Sequence, residues 1–232
     1  MEVTPEQVVA LAKKHNVPSI AFTYNDPVIF GEYVIDISKL AREEGIKSVM
    51  VTAGYIDKNA RKDVYKYIDA ANVDLKAFTE TFYKKITFSH LNDVLDTLKW
   101  LKNETQVWFE ITNLIIPGEN DSGEEFEQMC NWILENLGDE VPIHFTAFHP
   151  DFKMTDKPRT PAHTLQKARN IAINSGIKYC YVGNVHDLKG QTTYCPNCQK
   201  PLIERDWHSV NNFSIISSRC PHCNTKIAGV FF

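Results

Sequence analysis

From Pro5 to Val182, short apolar runs alternate with stretches of helical periodicity, one after the other. A strand, a helix and a second strand in that order form a crossover unit, and a chain of such units builds a parallel sheet. Ser19–Thr23, Lys47–Thr52, Ala71–Leu75, Val107–Ile116, Ile143–Phe148 and Lys178–Val182 read as the strands. Helices are expected over Pro5–Asn16, from the first strand to Glu44, over Asp57–Ile68 and Thr79–Asn103, from Ser122 to near Gly138, and from Thr160-Pro161 to Gly176. Thr4 is an N-cap with Pro5 at the first helical position, and Gln7 completes a capping box. Ser122 with Glu125 reads as a second box, and Gly45 as a C-terminal stop. The fold class is therefore α/β: a (β/α) barrel of the TIM type or part of one, with a doubly wound open sheet as the alternative.

Helical periodicity stops after about Lys189, so a boundary is expected there: residues 1–189 as the barrel, 190–232 as a small module. The module carries C-x2-C, twenty-one residues, then C-x2-C, at Cys195, Cys198, Cys220 and Cys223. Each pair turns tightly enough for both thiolates to reach one ion, and four thiolates make a closed tetrahedral site with no position for substrate. Such a site supplies folding energy to a segment too small for much core. Structural zinc is the expected ion, and iron in a rubredoxin-like centre accepts the same four sulfurs. Trp207, Phe213, Phe231 and Phe232 are expected to form a miniature core. Cys130 and Cys180, isolated in a helix and a strand, read as buried thiols.

The formal net charge of −4 gives no bulk attraction to nucleic acid or anionic lipid. No apolar run approaches a membrane span. Met1-Glu2-Val3-Thr4-Pro5 has neither the basic start nor the apolar block of a signal peptide, and a cytoplasmic protein is expected.

In α/β barrels, chemistry sits at the C-terminal ends of the strands. Those positions here carry Asn25 and Asp26, then Thr52 and Gly54, then Asp74 and Lys76. The long fourth strand adds Glu110, Thr112 and Asn113 on alternating faces, followed by Pro117-Gly118-Glu119-Asn120-Asp121, and His149 follows the fifth strand. Singly, such residues are usually turn or cap residues. Together they deliver polar groups to one rim, enough to hold a small zwitterionic ligand.

These stretches resemble a known family. Ser19-Ile20-Ala21-Phe22-Thr23-Tyr24-Asn25-Asp26-Pro27, Val51-Thr52-Ala53-Gly54-Tyr55-Ile56, Asn72-Val73-Asp74-Leu75-Lys76, Ile115-Ile116-Pro117-Gly118-Glu119-Asn120-Asp121, Phe148-His149-Pro150 and the two cysteine pairs are similar to the radical S-adenosylmethionine (SAM) protein of the AmmeMemoRadiSam system. That family is related to the pyruvate formate-lyase activating enzymes. The resemblance implies a partial (β/α)6 barrel in which SAM binds a [4Fe-4S] cluster, and one electron then cleaves SAM to methionine and a 5′-deoxyadenosyl radical that takes a hydrogen atom from a substrate. By position it implies Asn25, Asp26, Thr52 and Gly54 near the SAM amino group, where relatives carry Gly-Gly-Glu. Asp74 and Lys76 would lie at the methionine moiety, Thr112 and Asn113 at the ribose, and Pro117, Gly118 and His149 at the adenine. Memo-like and AMMECR-type proteins would be partners.

One departure matters: the C-x3-C-x2-C loop that ligates the cluster is absent from these 232 residues. The expectation is an N-terminally truncated chain, without its first strand and inactive alone. The strand at Ile20–Phe22 would then be left as an unguarded edge. Two other readings are a scaffold whose zinc ribbon binds a partner, and a barrel lyase using Lys76 as a Schiff base.

Overall fold

The computed structural model describes residues 3–231. Met1 and Glu2, weighed above against a signal peptide, and Phe232, counted among the module's aromatics, lie outside the described residues. The chain forms two compact units, Met1–Leu75 with Ser89–Phe109, and Lys76–Phe88 with Glu110–Phe232.

The first unit opens with α1 (Pro5–Lys14), whose capping box is complete: Gln7 N–H donates to the Thr4 hydroxyl and Thr4 N–H to the Gln7 side chain. Strands β1 (Ser19–Phe22), β2 (Lys47–Thr52) and β3 (Ala70–Asp74) follow, joined by α2 (Gly31–Glu43) and α3 (Ala60–Tyr65). They pair in parallel, Ser19 opposite Lys47 and Val49 opposite Ala70. Gly45 stands at φ +72°, the left-handed stop its position promised. Val34, Met50, Val73 and Leu98 are fully buried in this core.

In the second unit, β4 (Trp108–Ile115, which opens in the first unit), β5 (Ile143–Ala147) and β6 (Cys180–Gly183) pair in parallel, Ile111 opposite Ile143 and Ile143 opposite Cys180. Helices α6 (Gly123–Leu137) and α7 (Ala162–Ser175) pack side by side. Phe126 of α6 meets Phe145 of β5 edge to face, 5.7 Å between centroids. Both helices cover the same face, as right-handed crossovers that advance in one direction along a sheet do. Burial alternates strictly along β4 and β5. The face of Ile111, Asn113 and Phe145 is dry, whereas the face of Glu110, Thr112 and His144 is only half buried. Parallel strands buried on both faces lack this contrast.

The antiparallel strands β7 (Thr193–Tyr194), β8 (Pro201–Asp206) and β9 (Ser209–Phe213) carry the cysteine segment. Its core joins Leu202, Ile203, Ile215 and Ile227 to Tyr179, beside β6. Phe213 and Phe231 meet edge on at 6.2 Å, but Phe213, like Trp207, is about half exposed, so the aromatics expected as a miniature core are replaced there by aliphatic side chains. The segment from residue 190 therefore belongs to the same compact unit as β6.

Three features depart from the sequence expectation. The helix expected over Thr79–Asn103 is broken into α4 (Glu80–Phe82), a wide π turn (Tyr83–Thr87) and α5 (Leu91–Glu104). Phe88 ends the turn at φ +54° with its side chain exposed, a stop that neither glycine nor proline announces. The second capping box is half made. Glu125 N–H donates to the Ser122 hydroxyl, but the Glu125 carboxylate accepts from Phe78 N–H at 2.6 Å instead of returning to the cap. A short helix α8 (Leu188–Gln191) was not anticipated.

Candidate cofactor site and four-cysteine centre

In the first unit the strand-end residues converge on Asp26. Its Oδ1 accepts from Val28 N–H and from the Thr52 hydroxyl, each at 3.0 Å, and its Oδ2 accepts from Ala53 N–H at 2.8 Å. Thr52 Oγ1 in turn accepts from Gly54 N–H at 3.1 Å. The carboxylate thus staples the loop after β1 to the loop after β2, with three hydrogen bonds to a charged acceptor. Thr52 is 2% exposed and points to the helix-covered face, toward Tyr65 of α3. Burial first, then the Asp26 charge, raises the Tyr65 hydroxyl pKa and keeps it neutral. Gly54 is required twice over: φ is +67°, and a Cβ there would stand 2.8 Å from Val73 Cγ1. Asn25 is exposed at the tip, beside Tyr24, which has φ +72°. Asp74 closes β3 on its half-buried face.

The second unit has its own staple, an asparagine. Asn120, 1% exposed, donates to Lys76 O at 2.6 Å and to Leu114 O at 2.9 Å, and its Oδ1 accepts from Ile116 N–H at 2.7 Å. Asn113, also 1% exposed, donates to Lys76 O at 3.1 Å and lies against Met129 Sδ on the helix face. Tyr83 OH accepts from Lys76 N–H, so the Lys76 backbone is held at both of its polar groups. Further on, the Thr160 hydroxyl donates to Ile115 O and accepts from Phe148 N–H, and Asn184 donates to Ala147 O. Asn120, Thr160 and Asn184 each tie a strand end to an adjacent loop or strand. By sequence, Asn120 falls in a turn motif, Thr160 at a helix start and Asn184 in a stretch of family resemblance, and none of the three is marked for this role. Thr112 occupies the half-buried face of β4, opposite His144 in β5. Gly118 turns at φ +79° with its N–H on Asp121 Oδ1, next to Pro117. His149 is exposed and pairs with Asp151 at 2.9 Å.

The four cysteines meet. All four sulfurs lie within 4.8 Å of one another, with Cys195 and Cys223 at 3.5 Å and Cys198 and Cys220 at 3.7 Å. Four sulfurs about 2.3 Å from one tetrahedral ion stand about 3.8 Å apart, so the set fits a single ion. It does not fit a [4Fe-4S] cluster, whose ligand sulfurs stand outside a four-iron cube. The two knuckles are built alike. Gln199 N–H returns to Cys195 O and Asn224 N–H to Cys220 O, and Gln199 and Asn224 adopt φ +57° and +62°. The Thr225 hydroxyl and amide hold the Cys223 thiol down at about 5. Cys198 is pushed up to about 12, where its Lys200 amide contact is outweighed by burial and the neighbouring sulfurs. Closing on a cation requires thiols of the quartet to shed their protons. Cys130 and Cys180 are buried, as expected, and burial pushes both thiols up to about 12.

No helix is long and apolar enough to cross a membrane, among the described residues. A family model described as the Radical SAM superfamily matches residues 1–133. The chain is 43% identical over 228 residues to the uncharacterized protein MJ0808 of Methanocaldococcus jannaschii, covering 97% of this chain and 67% of that one. It is 30% identical over 131 residues to the pyruvate formate-lyase-activating enzyme of Clostridium pasteurianum, covering 56% of this chain and 53% of the relative. A solved domain of a pyruvate-formate lyase-activating enzyme from Bacteroides vulgatus superposes with a TM-score of 0.61 at 18% identity, over 71% of this chain and 98% of that domain. The chain thus spans about two thirds of one curated relative and about half of the other. With the model matching more than half of its residues, the chain belongs to the radical SAM superfamily.

Proposed function

We propose that the whole protein cleaves SAM reductively to a 5′-deoxyadenosyl radical that abstracts hydrogen from a substrate, as the radical SAM protein of an AmmeMemoRadiSam system working with Memo-like and AMMECR-type proteins. The observation that carries this reading is the family match over residues 1–133, the stretch that holds Asp26, Thr52, Gly54, Asp74, Lys76 and Thr112. When bound, the [4Fe-4S] cluster supplies the electron. Its ligands are not among the six cysteines here: four are drawn to one tetrahedral centre and two are buried singly. We assign the cluster to residues outside these 232, which makes this chain alone inactive.

The proposed SAM contacts divide by what their side chains already do. Asn25, Asp74, Lys76, Thr112 and His149 are exposed or half buried and are proposed to touch the cofactor, with the Lys76 ammonium facing its carboxylate. Asp26, Thr52, Gly54, Asn113, Pro117 and Gly118 are proposed to shape the loops that present those groups. The four-cysteine centre is proposed to hold one structural zinc, closed to substrate, with no part in the chemistry.

The test is anaerobic production of 5′-deoxyadenosine from SAM by this chain extended in its reading frame through a C-x3-C-x2-C segment. Product is expected from the extended chain, and Lys76→Ala in that background should raise the SAM KM about tenfold. An extended, iron-loaded chain that makes no product overturns the reading.

A further inference from the structure

The second unit contains a cavity of about 280 Å³ that the SAM reading does not use. Three of its walls come from the half-buried face of the parallel strands. Glu110 of β4, His144 of β5 and Tyr181 of β6 lie on neighbouring strands, with His144 and Tyr181 in direct register. The other walls come from Gln191 of α8 and from Arg205 and Trp207 in and after β8.

His144 Nε2 meets Glu110 Oε2 at 2.6 Å, and its ring stacks on Tyr181 at 5.0 Å and 27°. A carboxylate accepts, so Nε2 carries a proton toward Glu110, and Nδ1 makes no hydrogen bond among the described residues. Arg205 spends one nitrogen: Nη1 donates to Gln191 O at 3.0 Å and to Thr193 Oγ1 at 2.9 Å. Its Nε and Nη2 donate to no group among the described residues, and the guanidinium lies over the Tyr181 ring at 5.7 Å. The other polar groups are committed. The Gln191 amide donates to Val185 O and accepts from Trp207 N–H, and the Tyr181 hydroxyl pairs with Thr193. What the cavity offers is therefore a charged donor edge, one imidazole nitrogen without a partner among the described residues and the flat surface of an indole.

We propose that this cavity binds a small flat carboxylate that also carries an N–H or O–H group. The carboxylate takes Nε and Nη2 of Arg205, the geometry in which a guanidinium binds a carboxylate through two parallel bonds. The N–H or O–H donates to His144 Nδ1, and the ring lies against Trp207. Glu110, the one opposing charge, is held by the imidazole. The assignment is independent of SAM chemistry.

Indole-2-carboxylate serves as the probe in calorimetric titration of the full chain, against indole-2-carboxamide and 1-methylindole-2-carboxylate. Saturable binding of the acid is expected, with each analogue about tenfold weaker because one loses the charge and the other the N–H. Arg205→Gln should abolish the preference for acid over amide. Trp207→Ala, at a half-exposed side chain, should weaken acid and amide by the same factor and keep the preference, which holds the test open if the Arg205 variant unfolds. No saturable binding of the acid, equal affinity for acid and amide, or a preference that survives Arg205→Gln overturns the proposal.

Discussion

The four-cysteine centre and the Asp26 staple use polar side chains in opposite ways. Around Asp26, both carboxylate oxygens are occupied by three donors from the chain itself. At the centre, four sulfurs lie within 4.8 Å of one another, Cys195 and Cys223 at 3.5 Å. A staple is complete when the chain folds, whereas a donor set that crowds four soft ligands together is complete only with an ion between them. The difference separates polar residues that hold a rim in shape from those that await a ligand. By that measure Asp26 and Asn120 are architecture, and the cysteine quartet is a site.

The largest effect that sharpens the comparison is loss of the ion. Cys220→Ser should abolish stoichiometric metal, measured by elemental analysis, and unfold the segment around Leu202 and Ile227 at a cost of several kcal/mol. Retention of one tightly held ion by the variant would break the contrast. Next is the staple. Asp26→Ala removes three bonds and should cost about 3 kcal/mol in urea unfolding, while Asp26→Asn should cost less than half as much. Equal costs would mean that the charge is idle. Gly54→Ala combines a left-handed backbone with a contact to Val73 and should cost about 2 kcal/mol.

The smallest effect concerns Glu125. Burial, joined by the Asp121 charge and opposed by Phe78 N–H, raises its carboxyl pKa. A folded pKa above the unfolded one contributes stability that is present in acid and lost as pH rises through the raised value, so ionised Glu125 is a cost at neutral pH. Gln at this position can still accept from Phe78 N–H. Glu125→Gln should therefore gain about 0.5 kcal/mol near neutral pH, with the gain vanishing in acid. Melting curves at both pH values check the sign.

The cysteine centre was legible because its ligands come in two local pairs and C-x2-C spacing survives any tertiary context. The parallel βα order was legible for the same reason: periodicity is local. The strand-end residues were legible as polar, but not by role. Thr52 and Asn113 both fall on the helix-covered face, and deciding that requires knowing which face the helices cover, which lies outside a strand's own sequence. Asn120 looks like a turn residue until its contact with Lys76 O, 44 positions away, is seen. Glu125 fits a capping box and is drawn off by Phe78, 47 positions away. The Arg205 and His144 cavity combines strands and a distant ribbon with no shared motif.

The most direct test of the central claim is the chain of 232 residues itself, purified with its metal, reconstituted anaerobically with iron and sulfide, reduced and given SAM. One ion bound by four sulfurs is expected, with no 5′-deoxyadenosine above the level without protein, because four sulfurs within 4.8 Å of one another suit a single ion. Turnover of SAM to 5′-deoxyadenosine by this chain, lost in Cys195→Ser, would contradict it and make the four-cysteine centre the seat of the chemistry.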